Sequence, residues 1–300
     1  MKTWAGRALL LVGAFLLLVG AVALFWAGDA AKRTPLDTDS WTRLTGEASG
    51  ALVDAEDITA LKPVAYWVHT QADPDASDSD VVAFREESCI MVDEDNPPTE
   101  SCPNAEEDDR VISGPTIERF ATDRNTAEAV ADQTAYIPDS EVAYQGLINK
   151  FPFDPESRDY QYWDGTIGGT ATAAYVGEQE IQGIEVYQYQ VDIPETSLDI
   201  AEDTPGTYTA AQTLWVDQLT GAFIDQTGSQ TLATTDGTVV LDIDVEYSDE
   251  TVARNVDDAE ANATTLTLVT VVLPLVGLIG GVIVIAIGAL LIVRRRPSKA

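Results

Sequence analysis

The stretch AAYVGEQEIQGIEVYQYQVDIP, residues 173–194, places two apolar-rich runs on either side of a polar link bracketed by Gly177 and Gly183. Beyond the link, Tyr187, Tyr189, Val191 and Ile193 fall on one face of a strand and Gln188, Gln190 and Asp192 on the other, because strand side chains alternate with a period of two. This is a hairpin with one aromatic, core-facing side and one wet side. The same period recurs at 64–70 (VAYWVHT), 81–92, 213–217 and 239–247, with Gly, Pro and Asp turns between the runs. An antiparallel, mainly β (β-rich α+β) domain is therefore expected. Helical signals within it are few. The segment DRNTAEAVA at 123–131 is expected to start a two-turn helix with Asp123 as its N-cap. No repeat and no Gly/Ser linker divides the region, so one domain is the economical reading.

Two apolar runs flank this domain. Residues 8–27 (ALLLVGAFLLLVGAVALFWA) carry no charge over twenty positions, enough for a helix to cross a hydrocarbon layer about 30 Å thick. Small residues at Gly28 and Ala30 suit a cleaved signal peptide. The run is longer than a signal core of roughly 7 to 15 residues, however, and Phe25-Trp26 suits an interfacial anchor, which favours a retained helix. The second run, 266–293, ends in Arg294-Arg295-Arg296, and Lys2 and Arg7 precede the first. Positive charges stay inside, so both ends are expected in the cytoplasm: residues 1–7 and the basic tail 294–300, with the 235 residues 28–262 outside the cell. Pro274 allows a kink, and the Gly277, Gly281 pair has the spacing of a helix dimerisation face, which makes a helix-mediated homo-oligomer a candidate beside ordinary membrane-helix composition.

Fifty Asp plus Glu oppose 17 Lys plus Arg, for a formal net charge of -33. Nucleic acid is excluded as a partner, because phosphate binding needs clustered cations. With 45% hydrophobic residues the chain is not a disordered acidic polymer. Acid spread over the whole soluble part fits a halophilic protein, whose self-repulsion molar salt screens within about 3 Å. Acidic clusters are for that reason poor evidence of a site. Asp73, Asp75, Asp78 and Asp80 offer calcium-type oxygens at short spacing, but the EF-hand order is missing and a solvated loop is the simpler reading. The two cysteines, Cys89 and Cys102, enclose a polar turn and lack the nearby His that a tetrahedral metal shell needs, so a disulfide is expected.

His69 is the sole histidine and is expected at a strand-end surface. No phosphate-binding glycine loop is present, no catalytic residue is assigned, and no cofactor is expected. Carboxylate pairs such as Asp154 with Asp159 or Asp164, which acid–base chemistry would need, arise by chance among fifty acids and are poor evidence for a glycosidase-like site. The densest aromatic stretch, KFPFDPESRDYQYWDGT at 150–166, reads first as a turn that inserts rings into the core. Phe151, Phe153, Tyr160, Tyr162 and Trp163 are the candidates to line a ligand where their rings remain open.

FATDRNTAEAV at 120–130, GLINKFPFDPESRDYQYWD at 146–164, YVGEQEIQGIEVYQYQV at 175–191 and TLWVDQLTG at 213–221 resemble, in order, successive blocks of the porin PorA family. The similarity covers residues 115–250 and the two flanking helices. It implies a two-helix membrane protein with a large external domain, of actinobacterial or archaeal type, and some relatives are linked to envelope lipoglycan assembly. The two-anchor layout is also similar to that of the scavenger-receptor class B lipid receptors. A pore does not follow, because the lipid-facing alternation and aromatic girdles of a membrane barrel are missing. The expected function is a membrane-anchored cell-surface protein that binds or handles an envelope lipid, glycolipid or polymer without catalysis. The alternative is a sensory or scaffolding subunit that binds a protein partner. The seven-residue tail RRRPSKA is too short for a signalling domain.

Overall fold

The computed structural model describes residues 2–92, 101–201 and 204–293; the basic tail 294–300, on which the expected orientation partly rests, lies outside them. Two compact units divide at Thr34 and Ala259. The first holds α1 (Lys2–Val22), a π turn (Ala23–Ala27), the short α2 (Gly28–Ala31), and the last part of a long C-terminal helix. That helix is built from α3 (Asp249–Thr267), a π turn (Leu268–Val272) and α4 (Leu273–Val293). Both helical stretches, Trp4–Ala27 and Asp249–Val293, are long and apolar enough to cross a membrane.

Within this unit α1 and α4 pack antiparallel along a seam of glycines. A β-carbon at Gly6 would stand 3.1 Å from the Gly288 carbonyl oxygen, one at Gly13 2.9 Å from that of Gly281, and one at Gly20 2.9 Å from the Gly277 carbonyl carbon. Glycines seven apart on α1 stay on one side of a helix and let two backbones touch. The Gly277, Gly281 face, which the sequence offers for a contact between chains, is thus packed against α1 of the same chain.

The second unit is a ten-stranded sheet. Its strands are β1 (Asp39–Ser49), β2 (Lys62–Asp73), β3 (Val81–Val92), β4 (Val111–Asp123), β5 (Tyr160–Asp164), β6 (Gly169–Ile181), β7 (Ile184–Ala201), β8 (Thr204–Asp217), β9 (Phe223–Thr234) and β10 (Val239–Tyr247). The order is β4-β3-β2-β1-β10-β9-β8-β7-β6-β5, two meanders joined where β1 pairs with β10, and neighbours in both meanders and at the seam run antiparallel. The edges do not stay open. Between β4 and β5, Thr122 bridges to Ala129, Glu128 to Leu147, and Leu147 to Tyr162, so backbone pairing runs round the sheet and closes it into a barrel.

The β6–β7 hairpin has the expected aromatic face but a shorter link. Gln182 and Gly183, with φ of 49° and 95°, form a two-residue turn, and residues 178–181 continue the strand. Asp123 does not start a helix. Its Oδ1 accepts the Asn125 and Thr126 N–H groups at 2.9 and 2.7 Å, as an N-cap would, but the chain then turns back to pair with β4. A helix does appear where none was expected. Ser248 Oγ accepts the Thr251 N–H at 3.2 Å, and α3 sets Val252, Val256 and Ala259 against Val186, Ile224, Trp215 and Tyr247.

The barrel has its apolar side inward. β10 turns Leu241, Ile243 and Val245 in and leaves Asp242, Asp244 and Glu246 exposed. This polarity suits water outside and is opposite to the lipid-facing band of a membrane barrel.

Cys89 and Cys102 form a disulfide with Cα atoms 5.9 Å apart, and Cys102 N–H donates to Glu87 Oε1 at 3.0 Å. Closing so short a loop limits the unfolded chain, so reduction should lower stability by about 3 kcal/mol. Alkylation under denaturing, non-reducing conditions should label neither thiol, and labelling of both would remove the crosslink from the account.

Candidate functional site

Strand register fixes which side chains meet inside the barrel. One row runs Ile90, Tyr66, Leu44, Tyr247 across β3, β2, β1 and β10. Two rows away lie Thr70 on β2, Glu86 on β3 and Glu118 on β4. On the opposite wall β5 turns Tyr160, Tyr162 and Asp164 inward, facing Ala173 and Ala171 of β6, with Tyr189 and Leu214 beyond them.

Part of this interior is dry and packed. Phe151 is 0% exposed, with ring centroids 4.5 Å from Tyr189, 5.2 Å from Tyr160, 6.1 Å from Phe223 and 6.4 Å from Tyr162. Gly221, at φ of 74°, lets Phe151 N–H reach its carbonyl at 2.8 Å, which seats the loop at this end. Tyr160 is buried and its hydroxyl accepts the Glu156 N–H at 2.8 Å. Phe153 is half-buried under Lys150, whose Nζ stands 3.9 Å from the ring centroid. Burial pushes the Lys150 amine down to about 7, with Asp217 opposing the shift. Trp163 is 7% exposed and lies 4.9 Å from Tyr144; its indole N–H has no partner among the described residues.

Part of the interior is not sealed. Tyr66, Glu86, Tyr247, Gln212 and Gln226 all point inward and all are only half-buried. Yet burial is the largest influence on three of them, raising Glu86 to about 7, Tyr66 to about 12 and Tyr247 as well. Thr70 Oγ1 donates to Glu86 Oε2 at 3.0 Å, and the neighbouring Glu118 carboxylate raises Glu86 further. Burial also raises Glu118, followed by the charge of Asp164. Asp164 itself is well served: it accepts the Thr166 and Ile167 N–H groups, both at 2.9 Å, and the Tyr208 hydroxyl at 3.0 Å.

One row above Glu86, at the level of Ala72 and Phe84, a depression of about 410 Å³ is lined by Leu36, Asp37, Thr38, Asp39, Gln71 and Ala72. Beside it His69 departs from its expected surface place. It is buried, stacks on Trp41 at 4.2 Å, and pairs through Nε2 with Asp39 Oδ1 at 2.7 Å. Its position on β2 between Val68 and Thr70 puts it on the outward face, under the cover of neighbouring rings rather than at a strand end.

The four aspartates do not gather. Asp73 Oδ1 accepts the Asp75 and Ala76 N–H groups, Asp78 Oδ1 those of Asp80 and Val81, and Ser79 Oγ donates to Asp80. Asp73 and Asp78 thus cap successive turns, and no group of three His, Cys, Asp or Glu fit to hold a metal occurs among the described residues. Glu86, Glu118, Tyr66 and Tyr247 were not legible as site residues. The register places Tyr66 with Tyr247 in one row and Glu86 with Glu118 in another, two rows away.

A family model described as Porin PorA matches residues 5–290. A protein of Corynebacterium amycolatum named Porin PorA is 25% identical over 234 residues, covering 66% of this chain and 59% of that protein. The chain thus matches less than two thirds of that relative's length.

Proposed function

The chain belongs to the Porin PorA family, and from that premise we propose a membrane-anchored cell-surface protein whose barrel holds an envelope lipid or glycolipid in its interior without catalysis. The observation that carries the reading is that Tyr66, Glu86 and Tyr247 point into a closed sheet with a polar outer face and are only half-buried there. A barrel of this polarity holds a ligand rather than passing solutes through a bilayer. Aromatic rings next to amide and carboxyl groups suit a ligand with an apolar body and a polar head. The paired helices supply the anchor. The glycines of α1 match those of α4 along the seam, which favours a retained first helix over a cleaved signal, and Lys2 and Arg7 ahead of that helix favour a cytoplasmic N-terminus with the barrel outside the cell.

The test is to extract the full chain from its own membrane in detergent and molar salt and to identify what remains bound by mass spectrometry. One class of envelope amphiphile should accompany the protein through washing, and Trp163→Ala should release it. Recovery of nothing beyond micelle background would defeat the reading.

A further inference from the structure

Of the chain's six asparagines, one alone stands in the pattern Asn-x-Ser/Thr: Asn262-Ala263-Thr264, within EANATTLT at 260–267. Its place in the fold sets it apart from the rest of α3. Up to Ala259 the helix packs on the barrel through Val252, Val256 and Ala259, and Asn255 Nδ2 donates to the Ile224 carbonyl at 3.3 Å. Beyond Ala259 that packing stops. Glu260, Ala261, Asn262, Thr264 and Thr265 are exposed and Ala263 is half-buried, so this turn is bare on nearly every side. Among the described residues the Asn262 amide has no hydrogen-bond partner. Nor is the turn a strong helix: Asn262, Thr264, Thr265 and Thr267 rank low in helix propensity, and a turn without tertiary contacts opens at little cost. It also clears the lipid. A β-carbon at Gly28 would lie 3.7 Å from Thr270 Cγ2, which sets Thr270 beside the exposed Phe25-Trp26 pair that suits the membrane interface. Asn262 precedes Thr270 by eight residues, about 12 Å of helix, whereas the headgroup layer on each side is about 5 to 8 Å deep.

We propose that Asn262 is an N-glycosylation site. The pattern supplies the amide that is modified and, two residues on, the hydroxyl that the transferase reads. In the transfer, Asn262 Nδ2 bonds to the anomeric carbon of an oligosaccharide carried on a polyprenyl phosphate. The bond from that carbon to the phosphate oxygen breaks, the phosphate leaves with the electron pair, and the amide gives up one proton. A membrane oligosaccharyltransferase is the catalyst, and no oxidant or reductant takes part. Side chains two apart in a helix point about 200° from one another, so Asn262 and Thr264 meet one enzyme only when this turn is extended. The absent packing and the threonines permit that opening. Once attached, the sugar stands on an exposed side chain, and the helix closes beneath it. The site rests on the reading that puts the barrel outside the cell, since glycosyl transfer of this kind occurs on that side of the membrane.

The experiment uses the full chain, produced in its own host and purified in detergent and molar salt, with intact mass and glycopeptide mapping as readouts. The wild type should be heavier than Asn262→Gln by one oligosaccharide beyond the substitution itself, and the sugar should map to Asn262. Thr264→Ala should lose the same mass while Thr264→Ser keeps it, a pattern that a merely structural role of the threonine would not give. Masses that differ only by the substitution, or a sugar that persists in Asn262→Gln, would overturn the site. Ala261→Cys, exposed on the same turn and made in the Asn262→Gln background, separates this failure from a failure of the topology. A membrane-impermeant maleimide added to intact cells should label it. Labelling there, with no sugar on the wild type, would strike the glycan and leave the barrel outside. Labelling only after the cells are opened, with no sugar on the wild type, would remove both.

Discussion

Phe151→Ala should lower the stability of the barrel by about 3 to 5 kcal/mol, because the side chain is fully enclosed and four rings lose their common neighbour. Denaturant unfolding in molar salt, followed by tyrosine and tryptophan fluorescence, measures it. The loss should be large with or without bound amphiphile, since Phe151 fills the dry end of the interior. A stable variant that has merely lost its ligand would move Phe151 from the core to the site wall. Trp163→Ala should behave differently, since its unpartnered indole N–H marks a position whose chemistry packing alone does not satisfy.

Glu86→Gln should act in the opposite direction on stability. The carboxyl rises from 4.5 to about 7 on folding, chiefly through burial, so the folded state holds its proton more tightly than the unfolded state. That contribution is full below about 4.5 and disappears as pH rises through about 7, leaving an ionised, unpaired group at higher pH. Measured as the difference between variant and wild type, Glu86→Gln should gain about 2 to 3 kcal/mol between pH 4 and pH 8. The many other carboxylates cancel in that difference. A flat difference across this range would mean that Glu86 is well hydrated and that the interior is open to bulk water.

How much of this was legible before the fold was seen depended on which way the polar residues faced. β7 declared itself because Tyr187, Tyr189, Val191 and Ile193 fill the dry part of the barrel while Gln188, Gln190 and Asp192 meet water. β9 did not, since FIDQTGSQTLAT places Gln226, Gly228 and Gln230 inward and threonines and Ser229 outward, so no apolar alternation remains. β1 is hidden for a similar reason, with Thr42 and Gly46 among its inward positions, and β4 carries Gly114-Pro115 within it. The carboxylates of the interior were lost among fifty acids, and only burial distinguishes Glu86 from a surface glutamate. By contrast, Cys89 and Cys102 needed only their count and spacing. The helix expected at 123–131 failed because an aspartate capping a turn presents the same local signal as one capping a helix, and tertiary pairing to β4 decided between them.

The central claim is that the inside of the barrel, rather than its outer face or the helix pair, receives the ligand. Photocrosslinking of the full chain with a diazirine-bearing lysophosphatidylcholine, followed by peptide mapping, addresses it directly. Adducts should concentrate on inward positions of β2, β5 and β10, at or beside Tyr66, Tyr162 and Tyr247, and an excess of unlabelled lysophosphatidylcholine should remove them. Adducts confined to α1, α4 and outward positions such as Asp242 and Asp244, unaffected by competitor, would contradict it.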